Sequence, residues 1–379
     1  MPLGGAGRSW FVAGAVVAAA LAFGAGIAQP WVCESGSAGV PTGRASFAGV
    51  AATEVVETGI ALEYHVAGVV EWRDELVALT SGGEVVRSGD GRAWEAIPAS
   101  GFASRDRARE KGGEGEACAG DTVRGVAARD GLLVAVGARA VPSEPGDDYC
   151  DARLKLWRSG DATTWEPVEP SGLAETDTLD TVGADTSGFL AFGYSRASHA
   201  EDTGDEEEGR GLTVWRSSDG VTWEPVPTEG LSKPTAYKYQ FVNSIAMRDN
   251  RMLAAIGTEC VGCYDDDVVA LWRSDGASAW QELRFSGLEP LDQANSDIVP
   301  AVAATNQGYV AFASVGKDHG DDRTPAFWSS IDGEQWDETE LVGPSPSNGS
   351  MDAAASTRHG VVALDSTSRG LVVWRVESR

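Results

Sequence analysis

The chain has 379 residues and carries 57 acidic against 30 basic side chains, a formal net charge of −27. A field of this sign repels phosphate backbones, so the composition argues against nucleic-acid binding. Hydrophobic residues make up 42% of the sequence, enough for a folded core, which excludes a disordered acidic polymer.

Residues 1–28 have the features of an export signal. Arg8 precedes a stretch without charged residues, which runs from Ser9 to Ala28 and ends in small residues. The stretch is just long enough to cross a bilayer, so it is either a cleaved signal peptide or a membrane anchor through residues 9–28. Residues 29–50 are predicted to be a flexible linker. We therefore expect an extracytoplasmic protein, secreted or held at the cytoplasmic membrane with its folded part outside.

Five cysteines suit an oxidising compartment. Cys118 and Cys150 flank one hairpin-like segment, and Cys260 and Cys263 form a C-x-x-C pair. No basic side chain stands near the C-x-x-C pair to stabilise a thiolate, so we predict structural disulfides rather than redox chemistry. Cys33 is left over, either free in the linker or in an intermolecular bridge.

A tryptophan motif repeats along the rest of the chain. In four copies two tryptophans lie eight positions apart, and successive first tryptophans are separated by 58, 57 and 56 residues. An earlier copy lacks only the first tryptophan, and a truncated copy ends the chain at Trp374. The four complete pairs are Trp157 and Trp165, Trp215 and Trp223, Trp272 and Trp280, and Trp328 and Trp336. This regular recurrence indicates a repeat architecture.

Each repeat contains four short alternating apolar runs bounded by Gly, Asp and Asn, which are typical of β-strands. Four antiparallel strands per repeat predict an all-β fold, a six-bladed β-propeller over residues 51–379. The last repeat, from Met351, offers only three strands, so we expect the run Ser46–Val56 to supply its outer strand and close the ring. Seven blades are the alternative if residues 46–66 form more than one strand.

The Ser-x-Asp-Gly-x-x-Trp turn resembles the Asp-box, or BNR, repeat of sialidase-like β-propellers and is one residue shorter than the commonest form. The resemblance implies a turn between the two outer strands of each blade, on the face away from the ligand site. Ser and Asp oxygens can accept backbone N–H groups in such a turn, and the tryptophan can pack on a neighbouring blade. Ala162 replaces the glycine of one copy, and Ser274-Asp275-Gly276 is shifted by one residue. The residues that we assign to these structural turns are Ser88, Asp90, Trp94, Asp161, Trp165, Asp219, Trp223, Asp275, Trp280, Asp332 and Trp336.

Acidic residues cluster between the second and third strands of blades two to five, in connections that we expect on the face opposite the box turns. Such a face could bind calcium or dock an extracytoplasmic protein, peptide or glycan, although charged loops are most often only solvated. No run matches the EF-hand pattern, and no other cofactor is indicated. The candidate binding residues are Asp147, Asp148, Asp265, Asp266, Asp267, Asp321 and Asp322.

The sequence assigns no catalytic residue. Sialidases carry a Phe/Tyr-Arg-x-Pro segment before the first box, and nothing between Ser46 and Arg87 matches it. No nucleophile elbow, zinc-protease motif or Walker loop is present. We therefore predict a non-catalytic binding or scaffolding module. The alternative is a glycoside hydrolase that uses carboxylates of the acidic face. The oligomeric state is not fixed by the sequence.

Overall fold

The computed structural model describes residues 50–103, 120–142, 150–195, 212–231, 238–260, 268–283, 301–316, 323–338, 350–358, 360–367 and 370–378. The chain from Ala45 to Arg379 forms one compact unit. Every regular secondary-structure element of the described residues is a β-strand, and none of these residues belongs to a helix that could cross a membrane. The predicted export segment, residues 9–28, lies outside the described residues.

The strands form six antiparallel sheets of four strands, and each sheet is one blade of the propeller. In five of the blades the four strands follow one another along the chain. Blade one contains β2 (Val66–Trp72), β3 (Glu75–Thr80), β4 (Val85–Ser88) and β5 (Glu95–Ile97). Blade two contains β6 (Gly120–Arg129), β7 (Leu132–Pro142), β8 (Cys150–Ser159) and β9 (Glu166–Val168). Blade three contains β10 (Thr178–Ala184), β11 (Phe189–Tyr194), β12 (Thr213–Ser217) and β13 (Glu224–Val226). Blade four contains β14 (Lys238–Arg248), β15 (Arg251–Cys260), β16 (Val268–Asp275) and β17 (Trp280–Leu283), and blade five contains β18 (Ala301–Ala304), β19 (Tyr309–Gly316), β20 (Arg323–Ser330) and β21 (Asp337–Glu338).

The sixth blade is assembled from both ends of the described chain. Its strands are β22 (Ser350–Thr357), β23 (Gly360–Thr367) and β24 (Gly370–Ser378), with β1 (Val50–Glu57) as the outer strand. β1 pairs with β24 from Val50 opposite Ser378 to Glu57 opposite Val372. The predicted closure by the two chain ends is confirmed. The count is six rather than seven because the described residues before β2 contain a single strand.

A hydrophobic cluster lies at each of the six junctions between neighbouring blades. At the junction of blades one and two, Leu79 packs in one cluster with Leu133 and Trp157. At the closing junction, Val373 of blade six belongs to the cluster of Val86 and Trp94 from blade one. Because successive side chains of a strand point to opposite faces, each blade contributes to two clusters, and ring closure buries both of its faces.

The innermost strands surround a central channel, and five of them carry a β-bulge. A bulge leaves one residue outside the pairing ladder and redirects its side chain. The bulged residue lies four or five positions before the end of its strand in every case, so the bulges lie at one level of the ring. We call this side of the channel the bulge end, and the side of the following hairpin turns the turn end. The bulged residues are Ala67, Arg124, Asp180, Asn243 and Asp352.

Candidate functional site

The turns between the third and fourth strands share one hydrogen-bond pattern. Asp90 Oδ1 accepts the backbone N–H groups of Arg92 and Ala93 at 2.8 and 2.9 Å, and Ser88 Oγ accepts that of Gly91 at 2.8 Å. The hydrogen bonds from Ala93 and Arg92 lower the pKa of the Asp90 carboxyl. The same contacts recur in the turns of Ser159 and Asp161, Ser217 and Asp219, and Ser330 and Asp332. In these four turns the box carboxylates therefore bind the backbone of their own turn.

The fourth box departs from the sequence prediction. Gly276 occupies the position where the other boxes have aspartate, so the carboxylate of Asp275 does not cap the turn. Asp275 is 66% exposed, and its Oδ1 accepts a hydrogen bond from Arg251 Nε at 3.2 Å. Ser274 Oγ is buried without a hydrogen-bond partner among the described residues. The assignment of Asp275 to a capping role is thus corrected, because a one-residue shift moves the acid off the capping position.

Each box tryptophan packs against the preceding blade. Trp165 of blade two, for example, is only 1% exposed and lies in the cluster shared with blade one. Its Nε1 donates a hydrogen bond to the Ala162 carbonyl at 3.1 Å. The other box tryptophans occupy the equivalent junctions: Trp94, Trp223, Trp280 and Trp336. The tryptophan repeat is therefore a repeat of blade junctions.

A backbone contact that the sequence analysis missed joins the end of one blade to the box of the next. Ser100 N–H donates to the Thr163 carbonyl, and Trp165 N–H donates to the Ser100 carbonyl, both at 2.9 Å. Gly101 follows with φ +112°, and a Cβ there would lie 1.8 Å from the Trp165 carbonyl oxygen. Ser171-Gly172 and Glu229-Gly230 make the same contact to the next two boxes. The signal in the sequence was the glycine that follows each outer strand.

The channel encloses a cavity of about 270 Å³ lined by the innermost strands of all six blades. Most of the wall consists of small apolar residues such as Ala127, Val182, Ala303 and Ala354. Polar side chains interrupt this wall at a few positions: Glu71, Thr181, Asn243, Ser244, Asp352 and Ser356.

At the bulge end, Asp180 is a carboxylate whose side chain is only 14% exposed and whose contacts are long. Its Oδ1 lies 3.7 Å from Arg124 Nη1 of blade two, and its Oδ2 accepts the Val242 N–H of blade four at 3.4 Å. Burial raises the pKa of Asp180 to about 6, against the opposing effect of Arg124. The side chain connects three consecutive blades.

Asp352 occupies the equivalent position in blade six and has shorter hydrogen bonds. Its Oδ2 accepts the N–H of Ser366 at 3.0 Å and the N–H of Val66, in blade one, at 3.2 Å. The Ser366 hydroxyl donates to the same oxygen. Both bulge carboxylates thus bind the innermost strand of the following blade. Asn243, the bulged residue of blade four, differs because its buried Nδ2 has no partner among the described residues.

All seven candidate binding residues lie outside the described residues: Asp147, Asp148, Asp265, Asp266, Asp267, Asp321 and Asp322. The strand ends that their connections join are on the side of the ring opposite the box turns, because antiparallel neighbours alternate in direction. Within the described ranges, no group of three or more His, Cys, Asp or Glu side chains could hold a metal ion. Calcium binding by these acids stays a prediction.

Of the predicted disulfide cysteines, Cys150 begins β8 and is disulfide-bonded. Cys260 ends β15. Cys118 and Cys263 lie outside the described residues. The two predicted pairings therefore stay predictions.

No protein-family model and no curated protein matches the chain. Solved structures share its architecture at low sequence identity. The GH93 α-L-arabinofuranosidase of Fusarium graminearum with arabinobiose aligns with a TM-score of 0.54 and 12% identity over 86% of this chain and 98% of that chain. The Penicillium chrysogenum α-L-arabinanase with arabinobiose aligns with a TM-score of 0.53 and 14% identity over 87% of this chain and 98% of that chain. Trypanosoma rangeli sialidase aligns with a TM-score of 0.49 and 10% identity over 83% of this chain and 54% of that chain.

The shared feature is the β-propeller fold. At these identities the likeness extends to the fold alone, so any function has to be argued from the residues of this chain.

Proposed function

We propose that the protein is an exported, membrane-tethered or secreted β-propeller that acts as a non-catalytic binding or scaffolding module. The observation that carries the proposal is the use made of the carboxylates in the ring. Four box acids cap their own turns, and both bulge carboxylates bind backbone N–H groups of the next blade. These six carboxylates therefore stabilise the ring itself.

Hydrolysis of a glycoside would require two carboxyl groups about 5–10 Å apart, flanking the scissile bond. Asp180 and Asp352 belong to blades three and six, which lie on opposite sides of a six-bladed ring. Each is also bound to a neighbouring strand, so movement towards a substrate would open a blade junction. This arrangement favours a rigid binding platform over a hydrolytic pair.

The partner surface that we propose is the side of the ring with the acidic connections. Its composition suits a basic protein or peptide, because opposite charges raise association rates and select partners. A neutral glycan or calcium ion bound by the same acids is the other ligand to test. The box side carries mixed charges, among them the pairs Arg358 with Asp74 and Arg251 with Asp275.

The test uses biolayer interferometry to measure the binding of an oligolysine peptide to the purified protein at two salt concentrations. We expect saturable binding that weakens with salt and falls at least tenfold when Asp265, Asp266 and Asp267 are changed to Asn. Asp130→Asn, at an exposed hairpin turn on the box side, is the matched control and should leave binding unchanged. Two outcomes would refute the proposal. One is an equal loss of oligolysine binding in both variants. The other is that the protein binds none of oligolysine, calcium and a panel of glycans.

Two observations favour the glycoside-hydrolase alternative. The raised pKa of Asp180, about 6, is a property of general acids, and two enzymes of this fold are known with arabinobiose bound. Turnover of arabinoside reporters that Asp180→Asn abolishes without unfolding the protein would support this candidate. Absence of turnover over pH 4–8 would rule out this hydrolase candidate and favour the non-catalytic binding role.

A further inference from the structure

The outer strand of blade six differs in length from the outer strands of the other blades. β1 has eight residues, whereas the outer strands of blades one to five have two to four. β1 pairs with β24 along one edge, and within the described ranges no strand pairs with its other edge. A long unpaired edge is a template for a further strand, which is why proteins usually keep edge strands short. Blade six therefore has the longest outer edge that the described part of the ring offers to another strand.

The pairing with β24 determines which backbone groups of β1 point to this open edge. Thr58 N–H, directly after β1, donates to the Leu371 carbonyl at 3.1 Å. Along an antiparallel pair, residues alternate between those that bond to the partner strand and those that do not. The N–H of Val56 therefore also points to β24. The N–H and carbonyl groups of Val55 and Glu57 point to the open edge.

The side chains of β1 indicate which kind of strand would pair there. Val55 is partly buried against the cluster of blades five and six, and Val56 against that of blades six and one. Apolar residues opposite the two valines would complete this burial on both faces of the blade. Glu57 is exposed, and a basic residue opposite it would form a favourable cross-strand pair. A second copy of the chain, with its own net charge of −27, would be repelled.

We infer that the open edge of β1 is a docking site for an extended basic segment of a protein partner, which adds to blade six as a fifth strand. The backbone groups of Val55 and Glu57 bind the added strand, and the side chains of β1 select its apolar and basic residues. The inference rests on the proposed binding role and adds to the acidic side a second contact surface, at the rim of the ring.

The probe is a capped octapeptide with the core Lys-Val-Val-Lys between pairs of threonines. This core is the same in both directions, so a parallel or an antiparallel strand presents lysine to Glu57. Hydrogen exchange of the backbone N–H groups of the purified protein is measured residue by residue by NMR. In the free protein we expect Val56 to be protected and Val55 and Glu57 to exchange faster. Saturating peptide should slow the exchange of Val55 and Glu57 at least tenfold and leave Val56 unchanged.

Three control peptides separate strand pairing from attraction between charges. A peptide with the core Glu-Val-Val-Glu should bind at least tenfold more weakly. Two further peptides keep the Lys-Val-Val-Lys core and carry N-methyl groups on alternate residues, so that each lacks the N–H groups of one edge. An added strand bonds through one edge only, so the affinities of the two methylated peptides should differ at least tenfold.

Two variants of the protein test the edge itself. Val55→Pro removes an N–H that does not bond to β24, and proline is tolerated in edge strands at such positions. Glu57→Lys places a basic side chain opposite the lysine of the peptide. Each variant should weaken peptide binding at least tenfold. Glu224→Lys, in the short outer strand of blade three, is the matched control and should bind as the parent does. Thermal unfolding establishes that each variant is folded.

Three results would overturn the inference: peptide binding without slower exchange of Val55 and Glu57, equal affinities of the two methylated peptides, or no binding. Slower exchange of the same two N–H groups with rising protein concentration alone would also overturn it, because a second copy would then occupy the edge. Changing Asp265, Asp266 and Asp267 to Asn removes the proposed acidic contact and should leave binding of this peptide unchanged. Failure of the edge site is therefore distinguishable from failure of the proposed function.

Discussion

At the scale of single residues, aspartates of this ring have opposite electrostatic environments. Box acids accept backbone N–H groups, and in Asp90 and Asp219 these hydrogen bonds are the main cause of a lowered pKa. Asp180 is mostly shielded from solvent and has only long contacts, and its pKa is raised to about 6. The two groups therefore change the free energy of unfolding in opposite directions with pH.

Asp180→Asn should stabilise the protein at neutral pH. The folded state disfavours the ionised carboxylate, so the parent gains stability as the pH falls from about 6 towards the ordinary value of 3.8. The amide removes this dependence and should raise the free energy of unfolding at pH 7.5 by roughly 1–3 kcal/mol, since one pKa unit corresponds to about 1.4 kcal/mol. Urea unfolding at pH 7.5 and 4.5 measures the effect. A variant as pH-dependent as the parent would contradict the assignment.

Removal of a box carboxylate should cost stability only where the carboxylate caps its turn. Asp90→Ala deletes two hydrogen bonds to backbone N–H groups and should lower the free energy of unfolding by about 1–2 kcal/mol at pH 7. That contribution is present above pH 3.8 and is lost as the pH falls through the lowered pKa. Asp275→Ala is the matched control, because its carboxylate binds Arg251 instead, and should change stability by less than about 0.5 kcal/mol. Equal losses, measured by chemical denaturation, would show that Asp275 also supports its turn.

At the scale of elements, the contact between an outer strand and the next box depends on a glycine. Gly172 has φ +83°, and a Cβ at this position would lie 1.8 Å from the Trp223 carbonyl oxygen. Gly172→Ala should therefore lower the free energy of unfolding by more than about 2 kcal/mol, through backbone strain and displacement of the box. Gly160→Ala, where a Cβ meets nothing within 4 Å, is the control. If the two variants have the same melting temperature, Gly172 is not required for this contact.

Elements of this fold were predictable to different degrees. The spacing of the tryptophans predicted the number and positions of the blades, because each pair marks a blade junction. The missing fourth strand of the last repeat predicted that an N-terminal strand closes the ring. The bulges were not predictable, because an extra residue such as Asn243 interrupts the apolar alternation only locally. Asp180 and Arg124 are 56 positions apart in sequence, and only the shared ring geometry brings them into contact. The one-residue shift in the fourth box was visible in the sequence. Only the geometry of the turn, however, shows that the shift removes the capping carboxylate.

At the scale of the whole molecule, the ring depends on the pairing of β1 with β24. Glu54 of β1 forms ion pairs with Arg375 of β24 and Arg92 of blade one. A chain that begins at Thr58 should lose cooperative unfolding or melt well below the parent, because the edge of β24 is then open. A synthetic peptide of residues 50–57 should restore part of the loss, and a scrambled peptide should not. Calorimetry of the shortened chain with either peptide makes the comparison. An unchanged melting temperature without peptide would show that closure contributes little.

The same pairing places a constraint on the order of folding. β1 precedes the other strands of the ring along the chain, and its partner β24 follows all of them, so their contacts span more than 300 residues, 321 for Glu54 and Arg375. The first strand of the ring therefore has to stay unpaired while five blades form, and its search for β24 is a slow, non-local step. Glu54 and Glu57 place two charges in a β-prone segment that otherwise consists of Val, Ala and Thr, which limits association with other nascent chains during that interval.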